Sequence, residues 1–194
     1  IIYLQKSLFK PCIKKELKAG QLISYTHNLD YKRSNEDGLN LPAIKNLQSQ
    51  FHILKNDKAK KQMLQADDFK KAKIATIIAC RLKSNRLPNK ALVKIGDLTS
   101  VEYCIKSALK FKNTDYTILA TSTLAEDAEL KNYTYDQKVI FHTGHPEDVI
   151  KRYLDIMDKL SIDVLVRVTA DMPYISDEIL QILLKSHFET GADY

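Results

Sequence analysis

From residue 73 onward the chain alternates short apolar runs with amphipathic stretches. Residues 73–79 (KIATIIA) are apolar without alternation, the pattern of a strand buried on both faces. Residues 100–110 place Val101, Cys104, Ile105, Ala108 and Leu109 at helical spacing, and 116–120 predicts a second strand. A short helix over 123–130, a strand over 138–141 and a helix over 146–160 follow. Pro146 falls in the first turn of that helix, beside Glu147 and Asp148, which suit the positive end of its dipole. A fourth strand spans 163–169. The last helix spans 176–189, with Ile179, Leu180, Ile182, Leu183 and Leu184 as its apolar positions. This β-α-β-α order predicts a parallel sheet covered on both faces, with ligands at the carboxyl ends of its strands.

Residues 1–72 read differently. Pro11, Gly20, Gly38 and Pro42 punctuate short apolar segments, and only 41–50 predicts a helical turn or two. Gly20-Gln21-Leu22-Ile23 followed by Asn28-Leu29 is echoed by Lys61-Gln62-Met63-Leu64 followed by Asp68-Phe69. The echo fits a compact, turn-rich β module with pseudo-twofold character; a flexible appendage is the alternative. Residues 69–72 read as a short linker, so the expected domains are 1–72 and 73–194. A first residue of Ile and an end at Tyr194, just after a turn signal where a further strand is expected, suggest a piece of a longer polypeptide.

Charge separates the same two regions. The net charge of +6 divides into +7 over residues 1–72 and −1 over 73–194. The lysines of the basic part are scattered and not interleaved with aromatics, so nucleic acid is not an expected partner. A composition of 44% hydrophobic and 28% charged residues is ordinary for a globular protein, and no apolar run has the length of a membrane span. With no signal-peptide pattern at the start, cytoplasmic residence away from membranes is the expectation. Cys12, Cys80 and Cys104 are too few and too widely spaced for a disulfide framework or a zinc site and read as reduced thiols.

The chemistry concentrates after two strands. Arg81, Ser84, Arg86 and Lys90 follow the first, and such a loop can grip a polyphosphate through guanidinium forks, an ammonium and backbone amides. The strand over 163–169 leads to Asp171, a hard oxygen ligand for a magnesium-bound triphosphate. Arg167 and Thr169 share its side of the strand and can support it or touch the ligand. Together these point to nucleotidyl transfer, in which positioning and charge neutralisation do most of the catalysis and no side-chain nucleophile is required. Thr121-Ser122-Thr123 can contact ligand or cap the helix that follows. Glu147, Asp148 and Arg152 can meet sugar hydroxyls, or serve as dipole compensation and a helical ion pair. His142 and His145 lie three apart, but Gly144 and Pro146 make a turn a better reading than a metal site.

Four ordered motifs carry a resemblance over residues 73–194. They are Ala79 to Lys90 (ACRLKSNRLPNK), Ala120 to Thr123 with Asp127, Gly144 to Tyr153 (GHPEDVIKRY) and Arg167 to Pro173 (RVTADMP). The segment resembles the cytidylyltransferases, the family of CMP-sialic acid and CMP-KDO synthetases, and most of all their spore-coat polysaccharide biosynthesis protein F branch. The resemblance implies a Rossmann-like α/β nucleotidyltransferase domain with a mostly parallel sheet. It implies CTP bound by the loop through Ala79, Arg81, Ser84, Arg86 and Lys90, with Thr121 and Arg167 also on the nucleotide, and Mg2+ on Asp171. Gly144, Glu147 and Asp148 fall to the sugar, and the products would be a CMP-sugar and pyrophosphate. The family draws a second metal-binding carboxylate from a later strand. Lys83 and Asn89 stand where many members have Gly.

Residues 6–69 resemble the SAF (antifreeze-like, β-clip-like) domain that ends sialic acid synthases, on Lys18 to Ile23, Lys32-Arg33, Gly38-Leu39 and Asp67 to Phe69. That resemblance implies that Arg33 reaches a neighbouring subunit's sugar site, and hence a homodimer, with a synthase barrel fused or associated. Ser34 and Asn35 replace the Pro-Gly usual after that Arg, and residues 10–12 look like an insertion.

Overall fold

The computed structural model describes residues 9–83, 87–135 and 138–192. The chain divides into two compact units, one made of Ile1–Ala72 with Gln181–Tyr194, the other of Lys73–Leu180.

In the first unit, β1 (Phe9–Ile13) pairs antiparallel with β2 (Leu29–Arg33), and β3 (His52–Leu54) with β4 (Phe69–Lys71). Helix α1 (Leu41–Ser49) starts at Asn40, whose side chain accepts from the Ala43 amide, with Pro42 in its first turn. The faint sequence echo is a real twofold relation of the backbone. The Leu17 and Lys58 amides each donate to the other's carbonyl, at 2.9 and 2.8 Å. The Ile13 amide donates to the Gln62 carbonyl as Leu54 does to Gln21, and Lys61 donates to Ile13 as Gly20 does to Leu54. Leu17 and Lys58, Ile13 and Leu54, Gly20 and Lys61, and Gln21 and Gln62 are all 41 apart. Even the side chains repeat: Gln21 accepts from the Lys18 amide and Gln62 from the Ala59 amide, both at 2.8 Å. Gly20 has φ +85° and its counterpart Lys61 φ +70°. The first copy therefore uses glycine where the backbone is left-handed, and the second forces a lysine into that conformation.

The core of this unit holds Ile13, Ile23, Ile44, Leu54 and Leu64, and it also takes the end of the last helix, α4 (Asp177–Thr190). Phe188 is fully buried with its ring edge-on to Phe51 at 5.1 Å, and Gln48 donates to the Phe188 carbonyl. Gly191 lies so close to Ser24 that a Cβ there would meet the Ser24 nitrogen at 2.8 Å. The apolar pattern of α4 needs correcting accordingly. Leu180, Leu184 and Phe188, spaced by four, are buried, whereas Ile179, Ile182 and Leu183 are exposed.

In the second unit β5 (Ile74–Ala79), β8 (Tyr116–Ser122), β9 (Ile140–Gly144) and β10 (Val164–Thr169) form one parallel sheet in the order β10-β5-β8-β9. A two-residue ribbon of β6 (Lys94–Ile95) and β7 (Leu98–Thr99) precedes α2 (Ser100–Ala108). That helix opens with a reciprocal cap between Thr99 and Glu102. Both faces of the sheet are covered. Ile78, Leu119 and Val168 pack with Val101, Cys104 and Ile105 of α2; Ala75, Ile77, Ile118 and Ala120 pack with Ile156 of α3 (Val149–Leu160). Each fully buried Ile or Leu here is worth about 2 kcal/mol of apolar transfer.

Several predicted elements shift, and the strand predicted over 116–120 runs on to Ser122. The helix expected from Pro146 starts at Val149, because Asp148 is its N-cap and accepts from the Lys151 amide. The segment expected as a short α-helix over 123–130 is a 3-10 run, Ala125–Tyr133. The third strand runs Ile140–Gly144 rather than 138–141, so His142, Thr143 and Gly144 are strand residues and not loop residues.

Candidate active site

The chain winds outward from β5 through β8 to β9 and then returns to the opposite side of β5 to add β10. Between β5 and β10 the winding reverses, and a crevice opens at the carboxyl ends of those two strands. Their ends are in register, Thr169 opposite Ala79, and the Ala170 amide donates to the Ala79 carbonyl. The segments leaving both strands face one cavity of about 400 Å³.

The loop after β5 is anchored from below. The Cys80 amide donates to Ala120, Leu82 is buried in the α2-side core, and its amide donates to a carboxylate oxygen of Asp127 at 2.7 Å. Asp127 is itself buried, and the Ser122 hydroxyl donates to its other oxygen. The loop closes where the Asn89 amide donates to the Leu82 carbonyl, with Asn89 at φ +53°, a conformation Asn tolerates better than most residues. Lys90 then starts a 3-10 turn, Lys90–Leu92, whose Ala91 is buried. Ser84 and Arg86 of the proposed phosphate loop lie outside the described residues.

Across the crevice, the Lys90 ammonium forms an ion pair with the Asp171 carboxylate, with side chains 36% and 38% exposed. That contact and a hydrogen bond from the Thr169 side chain hold the Asp171 carboxyl below the usual carboxylate range, against a smaller opposing effect of burial. Ser100 donates to the Ala170 carbonyl and so ties the Asp171 turn to the start of α2. Among the residues singled out in the sequence, Ala79, Arg81, Lys90, Glu147, Arg152, Arg167, Thr169 and Asp171 all line the cavity.

Others do not. Thr121 is fully buried within β8, away from the cavity wall, and its hydroxyl has no partner among the described residues. Asp148 serves as the helix cap. Gly144 lies beneath Arg152, where a Cβ would come within 2.8 Å of Arg152 Cγ, so it makes room for a neighbour. Arg33 belongs to the first unit, on β2, with its guanidinium 5.5 Å from the Phe9 ring centre. Ser122 serves the Asp127 network and accepts from the Leu124 amide.

Other residues that the sequence singled out take roles different from those expected. Arg152 is buried, and it makes no helical ion pair: Nη2 donates to the His145 carbonyl at 2.8 Å and, more weakly, to that of Pro146. His145 Nδ1 accepts from the Glu147 and Asp148 amides, so the imidazole shapes the turn that carries Glu147 into the cavity. His142 has a buried Nε2 without a partner among the described residues, and burial lowers its pKa. Among the described residues no cluster of three or more metal-ligating side chains occurs. Tyr153, on the cavity wall, accepts from Arg167 Nε at 3.3 Å.

Residues 75–194 match the family described as Cytidylyltransferase. The chain belongs to the cytidylyltransferase family. It is similar to the spore coat polysaccharide biosynthesis protein SpsF of Bacillus subtilis, 30% identical over 125 residues that make up 62% of this chain and 52% of that one. Among solved structures it is similar to a cytidylyltransferase from Leptospira borgpetersenii, with TM-score 0.56 and 28% identity, covering 59% of this chain and 48% of that one. It shares the fold of a CMP:2-keto-3-deoxy-manno-octonic acid synthetase complexed with CTP, with TM-score 0.53 and 21% identity over 60% of this chain and 47% of that one. The chain thus spans about half the length of the relatives it matches. No helix among the described residues is long and apolar enough to cross a membrane.

Proposed function

We propose that this cytidylyltransferase-family chain carries out nucleotidyl transfer from CTP to a sugar acid of the nonulosonic type, giving a CMP-sugar and pyrophosphate for surface polysaccharide synthesis. The observation that carries the reading is the meeting of Lys90 and Asp171 across the carboxyl edge of β5 and β10, with Arg81 on the same cavity. An acceptor hydroxyl oxygen bonds to the α-phosphorus while the bond from that phosphorus to the β-bridging oxygen breaks. Pyrophosphate leaves with the electron pair, and the hydroxyl proton passes to water. Arg81 and Lys90 neutralise the oxygens whose charge grows, the term that dominates such reactions. A magnesium ion suits Asp171, which is ionised, partly exposed and free to trade Lys90 for a metal; when bound it would supply further charge neutralisation and alignment.

For the first unit we propose the SAF-like, β-clip-like module. The reading is supported by the twofold relation of residues 13–21 to 54–62 and leads to a homodimer serving a sialic-acid-type synthase. The transfer reading is tested by pyrophosphate release from CTP, Mg2+ and a panel of sialic, legionaminic and pseudaminic acids. Release at least a hundredfold above that of Asp171→Ala is expected; equal release from the two sinks the reading.

A further inference from the structure

The cavity lining carries two chemically distinct sets of groups. Arg81, Lys90 and Asp171 account for a metal-bound triphosphate, but Arg167, Tyr153 and Glu147 are left without a task by that assignment. Val166 and Val168 of β10 turn into the α2-side core and Leu165 into the α3-side core, so Arg167 stands on the α3 side of the sheet. There Arg167 Nε donates to the Tyr153 hydroxyl at 3.3 Å, and the terminal guanidinium nitrogens make no hydrogen bond among the described residues. A guanidinium tethered through Nε presents those two nitrogens as a fork that matches a pair of oxygens on one anionic group.

The neighbouring groups narrow the choice of anion. Glu147 is an acceptor-only carboxylate, held in place because His145 Nδ1 takes its amide and the buried Arg152 grips the His145 carbonyl. Arg152 also lines the cavity, but its guanidinium is tied to the His145 and Pro146 carbonyls, so this side offers one guanidinium fork together with a carboxylate and is poorly suited to a phosphate chain of about four negative charges. It suits a ligand with a single carboxylate and several hydroxyls: the fork takes the carboxylate, and Glu147 and Tyr153 take hydroxyls.

We infer that Arg167 is the specificity-determining residue for the acceptor, binding its carboxylate, so that this site selects acidic sugars over neutral ones. The inference rests on the transfer reading above. Its test is calorimetric binding to the full chain loaded with Mg2+ and cytidine 5′-(α,β-methylene)triphosphate, which does not turn over. The probes are N-acetylneuraminic acid, 3-deoxy-manno-octulosonic acid and their methyl esters. Wild type is expected to bind at least one acid tenfold or more tighter than its ester. Arg167→Met should weaken that acid by about 10- to 100-fold, as expected for a charged hydrogen-bonded pair, while the ester and the nucleotide analogue change less than about twofold. Arg167→Lys should restore part of the loss, since it keeps the charge but not the fork.

The inference is overturned if wild type binds no acid, if it binds acid and ester alike, or if Arg167→Met weakens the nucleotide analogue and not the acid. Acid selection through Arg167 without pyrophosphate release from CTP would sink the transfer reading alone. Pyrophosphate release with neutral sugars as fast as with acids would sink this inference alone.

Discussion

Asp127 does not line the cavity, yet the loop after β5 hangs from it. Its two carboxylate oxygens accept from the Leu82 amide at 2.7 Å and from the Ser122 hydroxyl, and the residue is 1% exposed. Asp127→Ala leaves a buried amide and a buried hydroxyl without their acceptor. Each such group costs about 1–3 kcal/mol, so the second unit should lose roughly 3–5 kcal/mol. Asp127→Asn keeps one oxygen for Leu82 and turns an amide NH2 toward Ser122, whose oxygen can accept; only charge assistance is lost, about 1 kcal/mol. Urea denaturation reports the stability change, and CTP titration reports whether the loop holds its shape. Asp127→Ala should weaken CTP binding tenfold or more, and Asp127→Asn by less than threefold. An Ala variant with an unchanged midpoint and wild-type CTP affinity would refute the claim that Asp127 fixes the loop.

Three other outcomes follow from the geometry. Lys61→Gly should stabilise the first unit by about 1 kcal/mol, because glycine adopts the left-handed backbone there without steric cost as Gly20 does; a lower melting temperature contradicts this. Phe188→Ala should cost about 3–5 kcal/mol in the first unit, seen as faster amide exchange around Phe51 and Gln48, since the ring fills a sealed site. Because its pKa is lowered, Asp171 contributes stability above its unfolded value, near 4, and loses it as pH falls through the lower folded value. In Lys90→Met the Asp171 carboxyl should therefore titrate at higher pH by NMR, with little change in neutral-pH stability because the pair is partly exposed and screened.

Which parts were legible in the sequence follows from what each residue contacts. The strands through Ile77 and Ile118 announce themselves because a sheet buried on both faces demands uninterrupted apolar runs, and β10 shows the same kind of run broken at the exposed Arg167. Strand β9 is only half-buried, and its polar His142 and Thr143 hide its true end. In α4 five apolar residues looked equivalent, but one helix face holds only the spacing of Leu180, Leu184 and Phe188, and the rest stay in solvent. At the cavity, the placement of Arg81, Lys90, Arg167 and Asp171 was readable because charged residues at strand ends have few structural duties. The anchoring parts of Arg152 and Asp127 were not, since Arg152 grips the backbone carbonyls of His145 and Pro146 and Asp127 takes the backbone amide of Leu82, groups that carry no side-chain signature. Thr121 misled for the opposite reason: two more residues of strand than the pattern indicated drew its side chain into the core.

The claim on which the rest depends is that the loop after β5 and the turn after β10 hold one metal-nucleotide between them. A crystal structure of the chain with CTP and Mg2+ tests it most directly. The account predicts a metal about 2.1 Å from an Asp171 oxygen, Lys90 moved from Asp171 onto the phosphates, and Arg81 on the same triphosphate. A nucleotide bound elsewhere, or an intact Lys90–Asp171 pair beside an ordered CTP, would contradict it.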